Sequence, residues 1–239
     1  MIVVKVGGSA ITDKSSFRKP KIDVIDCIAR DIAEVSPRLI LIHGAGSFGH
    51  PFVVRYGLKE FEDLDGVIEA HMSCKDLNIL VCRAMINHGV RPFPIHPFST
   101  FKIEGGRIKF DRGLILSSLR KGFVPVLHGD MVFNSDVNRF VVLSGDDITL
   151  EIAKVFRADK VGFATDVDGV YLNGKLSDVV TLKDLDKIGL SSGIDVTGGM
   201  RSKVEKILRS GVEARIFNVS NLKEFLMCRN VGTLVKLLK

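Results

Sequence analysis

Ile2-Val3-Val4-Lys5-Val6-Gly7-Gly8-Ser9 decides the fold: a short, almost wholly apolar run stops at two glycines and a hydroxyl residue. A strand that is apolar at successive positions is buried on both faces, the condition of a parallel sheet covered by helices. Outward from it, residues 39–43, 123–127, 160–164 and 214–219 repeat the pattern, and 91–96 and 233–237 are further strand candidates. Residues 21–35, 66–88, 113–121, 147–156, 181–188, 200–210 and 221–228 read as helices, the first ended by Pro37. Residues 101–110 alternate with period two around Glu104-Gly105-Gly106-Arg107, which predicts a hairpin. Residues 131–133 and 140–143 predict a second one around residues 134–138. Strands alternating with helices give an α/β fold with a mainly parallel sheet and two added hairpins.

The chain has 239 residues, which suits one large α/β domain or two intimate lobes. With 46% hydrophobic and 26% charged residues it is no disordered chain, and at a mean hydropathy of +0.22 it still has no run long enough to span a membrane. The net charge is +6, but the Lys and Arg residues are scattered, Trp is absent and only two Tyr occur. That pattern disfavours a nucleic-acid surface and suits a small anionic substrate. Cys27, Cys74, Cys82 and Cys228 include no C-x-x-C pair, and Cys74 and Cys82 have core spacing on a helix. The first apolar run is too short for a signal peptide, so a cytoplasmic protein with reduced thiols is expected.

Five segments carry chemistry. Lys5 to Lys14 contains the Gly7-Gly8-Ser9 turn, whose backbone can approach a phosphate closely, with Lys5 and Lys14 within reach of the anion; two solvated lysines beside a plain turn is the alternative. His43-Gly44-Ala45-Gly46-Ser47-Phe48-Gly49-His50 contains G-x-G-x-x-G. It sits in the second βα unit, Pro51 follows, and no acidic strand end lies downstream, so the dinucleotide reading fails. His50 and Pro51 also spoil a P-loop, as Leu176 does after Gly169…Gly174-Lys175, leaving an anion cradle with His50 at its lip. Ser144-Gly145-Asp146-Asp147 is either a helix cap or a carboxylate near phosphates. Thr165-Asp166-Val167-Asp168-Gly169-Val170-Tyr171 is no calcium loop, since position twelve is Ser177. It is a loop after a strand, where ligands bind in open α/β sheets. Gly198-Gly199 leads into a helix carrying Lys203 in its first turn, a position that a bound phosphate would compensate. No metal-ligand cluster is predicted.

Taken in order, these five segments resemble the amino-acid kinase superfamily, over nearly the whole chain. The acceptor-side pair, G-G-S-A-I-T-D-K and H-G-A-G-S-F-G-H, resembles the isopentenyl phosphate kinases within it. The resemblance implies a three-layer α/β/α sandwich, Mg²⁺ and ATP, a homodimer, and phosphorylation of isopentenyl phosphate in an archaeal-type mevalonate route. The fosfomycin-phosphorylating relative has a similar segment, so a phosphonate, an amino-acid carboxylate or a nucleoside monophosphate remains an alternative acceptor. The implied acceptor half is roughly 1–144 and the nucleotide half roughly 145–239. Lys5 and Lys14 would hold the transferring group, Gly7, Gly8 and Ser9 the donor phosphates, and Lys203 the β and γ phosphates beside Gly199. Asp146 would orient a lysine or a water on Mg²⁺. Residues Thr165, Asp166, Asp168, Gly169 and Tyr171 would form the nucleotide pocket. His50 would bind the acceptor phosphate with the amides of Gly44, Ala45 and Gly46, near Gly49, Gly129 and Gly145. Met72, Ile79 and Val132 are candidates for an apolar tail pocket. A dehydrogenase or a non-catalytic nucleotide-binding module is disfavoured, the latter because Lys5, Lys14 and Lys203 are all present.

Overall fold

The computed structural model describes residues 1–35, 38–188 and 199–237. Its strands are β1 (Ile2–Val6), β2 (Leu39–His43), β3 (Pro92–Pro94), β4 (Phe101–Glu104), β5 (Arg107–Phe110), β6 (Val124–His128), β7 (Asp130–Asn134), β8 (Arg139–Leu143), β9 (Lys160–Thr165), β10 (Tyr171–Leu172), β11 (Lys175–Leu176), β12 (Val179–Val180), β13 (Ala214–Asn218) and β14 (Thr233–Val235). Its helices are α1 (Gly8–Ile11), α2 (Ile22–Val35), α3 (His50–Arg55), α4 (Leu64–Asn87), α5 (Pro97–Thr100), α6 (Arg112–Arg120), α7 (Gly145–Phe156), α8 (Gly199–Ser210) and α9 (Leu222–Leu226).

The large sheet has the order β12-β14-β13-β9-β1-β2-β6-β3, and only the β13–β14 pair is antiparallel. Side chains alternate along a strand, so each strand feeds two layers. Val3, Ile40, Ile42 and Leu127 pack with Ile148 and Ile152 of α7 and Val204 and Ile207 of α8. Val4, Val6, Leu39 and Leu41 pack with Ile28 and Ile32 of α2, Leu77 of α4 and Phe225 of α9. That is the expected three-layer α/β/α sandwich. Both predicted hairpins form, and β4 pairs with β7 to join them in a second sheet of order β5-β4-β7-β8.

The helix starts follow the caps. Asp63 accepts from Gly66 N, Asp111 from Leu114 N and Ser144 from Asp147 N. Residues 181–188 depart from the helix expected there: Leu182–Lys187 is a 3₁₀ turn, because the Thr181–Asp184 capping box closes a tight first turn that nothing propagates. The strand expected over 91–96 contracts to Pro92–Pro94 on the sheet edge, since its two prolines lack N–H donors. Pro37 and residues 195–198 of the last glycine segment lie outside the described residues. Among the described residues, no helix is long and apolar enough to cross a membrane.

The register sets the site. Val6, His43, His128 and Ala164 stand side by side across β1, β2, β6 and β9. The carboxyl ends of these four strands therefore open at one edge, where an open α/β sheet takes its ligands.

Candidate active site

The four strand ends open into a single cavity of ≈ 700 Å³. Every residue expected to act in catalysis or to bind the nucleotide or the acceptor phosphate lines it except Asp168. Asp168 is instead a loop brace: its carboxylate accepts from Asn218 Nδ2 at 3.1 Å and from the Tyr171 hydroxyl at 3.5 Å, and Val167 takes the lining position.

A lysine–aspartate–lysine cluster occupies the floor. The alternation of β1 sends Lys5 to the α7/α8 face, one step beyond Val3. Asp146 is the second residue of α7, fixed by the Ser144 cap. Its Oδ1 lies 2.8 Å from Lys5 Nζ and its Oδ2 2.7 Å from Lys203 Nζ. Burial alone would raise the Asp146 pKa, but the Lys5 and Lys203 charges and hydrogen bonds hold it far below the usual carboxylate range. Burial, then the Lys5 charge, bring Lys203 down to about 8 against the pull of Asp146. Behind the cluster, Lys206 binds Asp147 at 2.7 Å and Ser144 Oγ at 3.2 Å, which locks α8 to the start of α7. One aspartate between two lysines leaves a net positive floor, suited to holding an anion.

The glycine turns pack backbone against backbone. A Cβ on Gly8 would stand 2.3 Å from Gly46 N, and one on Gly44 2.4 Å from Gly8 N. Two amides expected to face an anion do not. Gly7 N donates to Ala164 O and Gly44 N to Val6 O, each at 2.8 Å, because these residues still continue the sheet ladder. Gly8 and Ser9, in the first turn of α1, and Ala45 and Gly46 have no such acceptor among the described residues.

Lys14 rides on a loop closed at its base by the Thr12–Pro20 bridge and the 2.9 Å bond from Asp13 N to Lys19 O. Arg18 ties the loop outward to Asp76 of α4. Lys14 Nζ reaches within 4.0 Å of Asp166, whose carboxylate also accepts from Ser9 Oγ at 3.0 Å. His50 begins α3 at the cavity mouth, open to solvent on one edge. Partial burial and the charges of Lys5, Lys59 and Lys14 push its pKa down, so it is neutral near pH 7.

The apolar wall differs from the expected one. Met72 and Ile79 point outward from α4, and Val132 is sealed in the core. Val53, Ala70, Cys74, Met131 and Val142 line the cavity instead. Ala70 and Cys74 lie on the opposite face of the same helix, so the element was legible and its inward face was not. Asp130, whose side chain is fully buried, also lines the cavity. It is the first residue of β7, with only Gly129 between it and the end of β6, and sequence reasoning missed it.

The model of the amino acid kinase family matches residues 1–218. The isopentenyl phosphate kinase of Methanothermobacter thermautotrophicus is 37% identical, over 92% of this chain and 91% of that protein. A crystal structure of an isopentenyl phosphate kinase superposes with a TM-score of 0.84 at 32% identity, covering 100% of both chains. The product complex of the T. acidophilum isopentenyl phosphate kinase superposes with a TM-score of 0.80 at 25% identity, covering 99% of this chain and 100% of that one. A match of this extent, on a sheet whose strand ends carry the lysines and glycine turns in the family's order, makes the chain a member of the amino acid kinase family.

Proposed function

We propose that this chain transfers the γ-phosphoryl group of ATP to isopentenyl phosphate, forming isopentenyl diphosphate and ADP as a step of isoprenoid synthesis. The observation that carries this reading is the continuity of one cavity: the positive floor and glycine cradle pass directly into a wall of Val53, Ala70, Cys74 and Met131. That combination suits a phosphate bearing a short hydrocarbon tail. The close similarity to isopentenyl phosphate kinases supports it.

The chemistry follows from the acceptor. A phosphate monoester is a dianion near pH 7, its second pKa being about 6, so its oxygen attacks without a general base. The new O–P bond forms at the γ-phosphorus as the bridging bond to ADP breaks, and ADP leaves as the anion. The protein's task is to hold two anions in line and offset their repulsion. Lys5 and Lys14 neutralise the transferring group, Lys203 the β and γ phosphates, and the Gly8 and Ser9 amides the donor chain. His50 and the Ala45 amide hold the acceptor phosphate. Asp146 keeps the two floor lysines in place. The acceptor would lie mainly over the half at roughly 1–144 and the nucleotide mainly over the half at roughly 145–239, where Thr165, Asp166, Gly169 and Tyr171 line the cavity.

The donor set fits a Mg²⁺ carried mainly by ATP and water. Among the described residues no cluster of three ligating side chains exists, while buried Asp146 Oδ1, which meets only the Lys5 ammonium at 2.8 Å, keeps a lone pair that can accept from a metal-bound water. When bound, the ion would neutralise charge on the phosphates. We further propose a cytoplasmic homodimer. Leu64, Ile68, Met72, Ile79 and Ile86 form an exposed apolar stripe along α4, which supports a subunit contact there.

A coupled ADP-release screen over isopentenyl phosphate, dimethylallyl phosphate, fosfomycin, glutamate and UMP tests the acceptor. Isopentenyl phosphate is expected to give the highest kcat/KM, and a clear preference for any of the last three would replace this reading.

A second expectation concerns pH. In the ATP-free protein Lys203 loses its proton as pH rises through about 8, so it is charged below that value and neutral above it. ATP affinity should fall by about tenfold per pH unit above it. Lys203→Arg, charged throughout, should flatten the profile. A flat wild-type titration from pH 7 to 9.5 would remove Lys203 from the nucleotide site.

A further inference from the structure

His43 and His128 end the adjacent strands β2 and β6 as registered partners, and the transfer described above uses neither. Both are buried, and their rings stack with centroids 5.5 Å apart. Each precedes a glycine that lines the cavity, although neither ring lines it. Each ring places Nδ1 3.1 Å from the carbonyl oxygen of that glycine, Gly44 in one case and Gly129 in the other. A carbonyl only accepts, so Nδ1 carries the proton in both rings and Nε2 is an acceptor. The other partners agree. Asn78 Nδ2 donates to His43 Nε2 at 3.1 Å, and His96 Nδ1 donates to His128 Nε2 at 3.0 Å. Burial pushes His43 down to about 4 and His128 to about 3, so both rings are neutral at working pH.

A trans peptide is planar, and its C=O and N–H point opposite ways. The His43 ring holds the Gly44 carbonyl from the α4 side, where Asn78 lies. The N–H of Ala45, the next residue, is thereby turned the other way, and no protein acceptor takes it among the described residues. We propose that His43, kept in one tautomer by Asn78, is a positioning residue that aims the Ala45 amide at the acceptor phosphate, and that His128, kept by His96, holds the Gly129 turn in step with it. The two turns are one unit, because Gly129 N donates to the His43 carbonyl at 3.1 Å. Gly129 also bears on the start of α7, where a Cβ would stand 3.0 Å from Gly145 N. The unit thus sets the acceptor cradle against Asp146. This inference rests on the acceptor reading of the cradle.

Asn78→Leu tests it without touching either histidine. With the Asn78 donor gone, His43 Nε2 is a buried acceptor without its partner, and the ring is no longer held at that edge against the Gly44 carbonyl. Steady-state kinetics, with each substrate saturating in turn, are paired with calorimetric titration of isopentenyl phosphate in the absence of ATP. The expected result is a rise of about tenfold in both the acceptor KM and the Kd, the scale of one lost anion contact. The KM for ATP should stay within twofold. His96→Leu, at a half-buried position that tolerates change better, should act in the same direction through His128. Unchanged acceptor binding in both folded variants would overturn the inference, as would equal rises in both KM values that track a lowered Tm. An inactive wild-type protein that binds no isopentenyl phosphate would overturn the functional reading together with it. An active wild type with unaltered variants overturns this inference alone.

Discussion

Lys5→Ala is expected to cut kcat by about 10²- to 10³-fold while the protein stays folded, the loss seen when one preorganised charge-stabilising group is removed. Lys5 reaches the floor of the cavity through the alternation of β1 and meets Asp146 at 2.8 Å. Its removal takes away one of two cations on a buried carboxylate, yet Lys203 remains on Oδ2 at 2.7 Å and keeps Asp146 ionised. The fold should therefore survive with a modestly lower Tm. Lys5→Arg should not rescue the rate. Lys5 is buried and its Nζ already sits 2.8 Å from Asp146, so a longer, planar guanidinium cannot reproduce that point contact with both Asp146 and a phosphate. Single-turnover kinetics on folded Lys5→Ala decide the point, and a near-wild-type rate would move the transferring group away from the first glycine turn.

The ends of β1, β2 and β6 were legible because each is a short apolar run that stops at or next to a glycine, and that of β9 because its apolar run stops at Thr165-Asp166, signals carried within a few residues. The Lys5–Asp146–Lys203 cluster was legible only in part. Each member belonged to a marked segment, but their meeting depends on the face that β1 alternation selects and on α7 and α8 packing together. The amides of Gly7 and Gly44 were misread because the sheet ladder runs one residue past each strand, which claims their N–H groups. The tail pocket was misread for a related reason. Helix α4 is apolar on two faces, its stripe of Ile68, Met72 and Ile79 outward and Ala70 and Cys74 inward, and spacing alone does not rank them. Asp130 was invisible because nothing local to it differs from a strand start. Its partners, the Phe98 amide at 3.2 Å and His71 at 3.0 Å, lie on other elements.

His50→Ala separates the acceptor readings, and its expected effect is a fall of about 10²-fold or more in kcat/KM for isopentenyl phosphate, with the KM for ATP little changed. In the free protein burial and three nearby lysines hold the imidazole neutral near pH 7. On the proposed reading, a neutral ring would donate one N–H to the acceptor phosphate, and that contact would offset repulsion as the attacking oxygen nears the γ-phosphate. An amide donates as well. His50→Asn or His50→Gln should therefore recover part of the loss, the longer Gln more if reach is limiting. A proton-transfer role predicts otherwise, because an amide takes no proton and both variants would be as poor as Ala. The pH profile gives a second handle. The acceptor's own second ionisation, at about 6, imposes an acid limb on kcat/KM. If His50 only donates, that limb belongs to the substrate and persists in His50→Asn at the same position. If His50 were the base, the limb would change when the ring is removed. A histidine that merely packs would lower Tm in all three variants and spare the acceptor step. Kinetics of the three on isopentenyl phosphate with ATP saturating distinguish these outcomes. Wild-type kcat/KM in folded His50→Ala would take the acceptor phosphate out of the cradle.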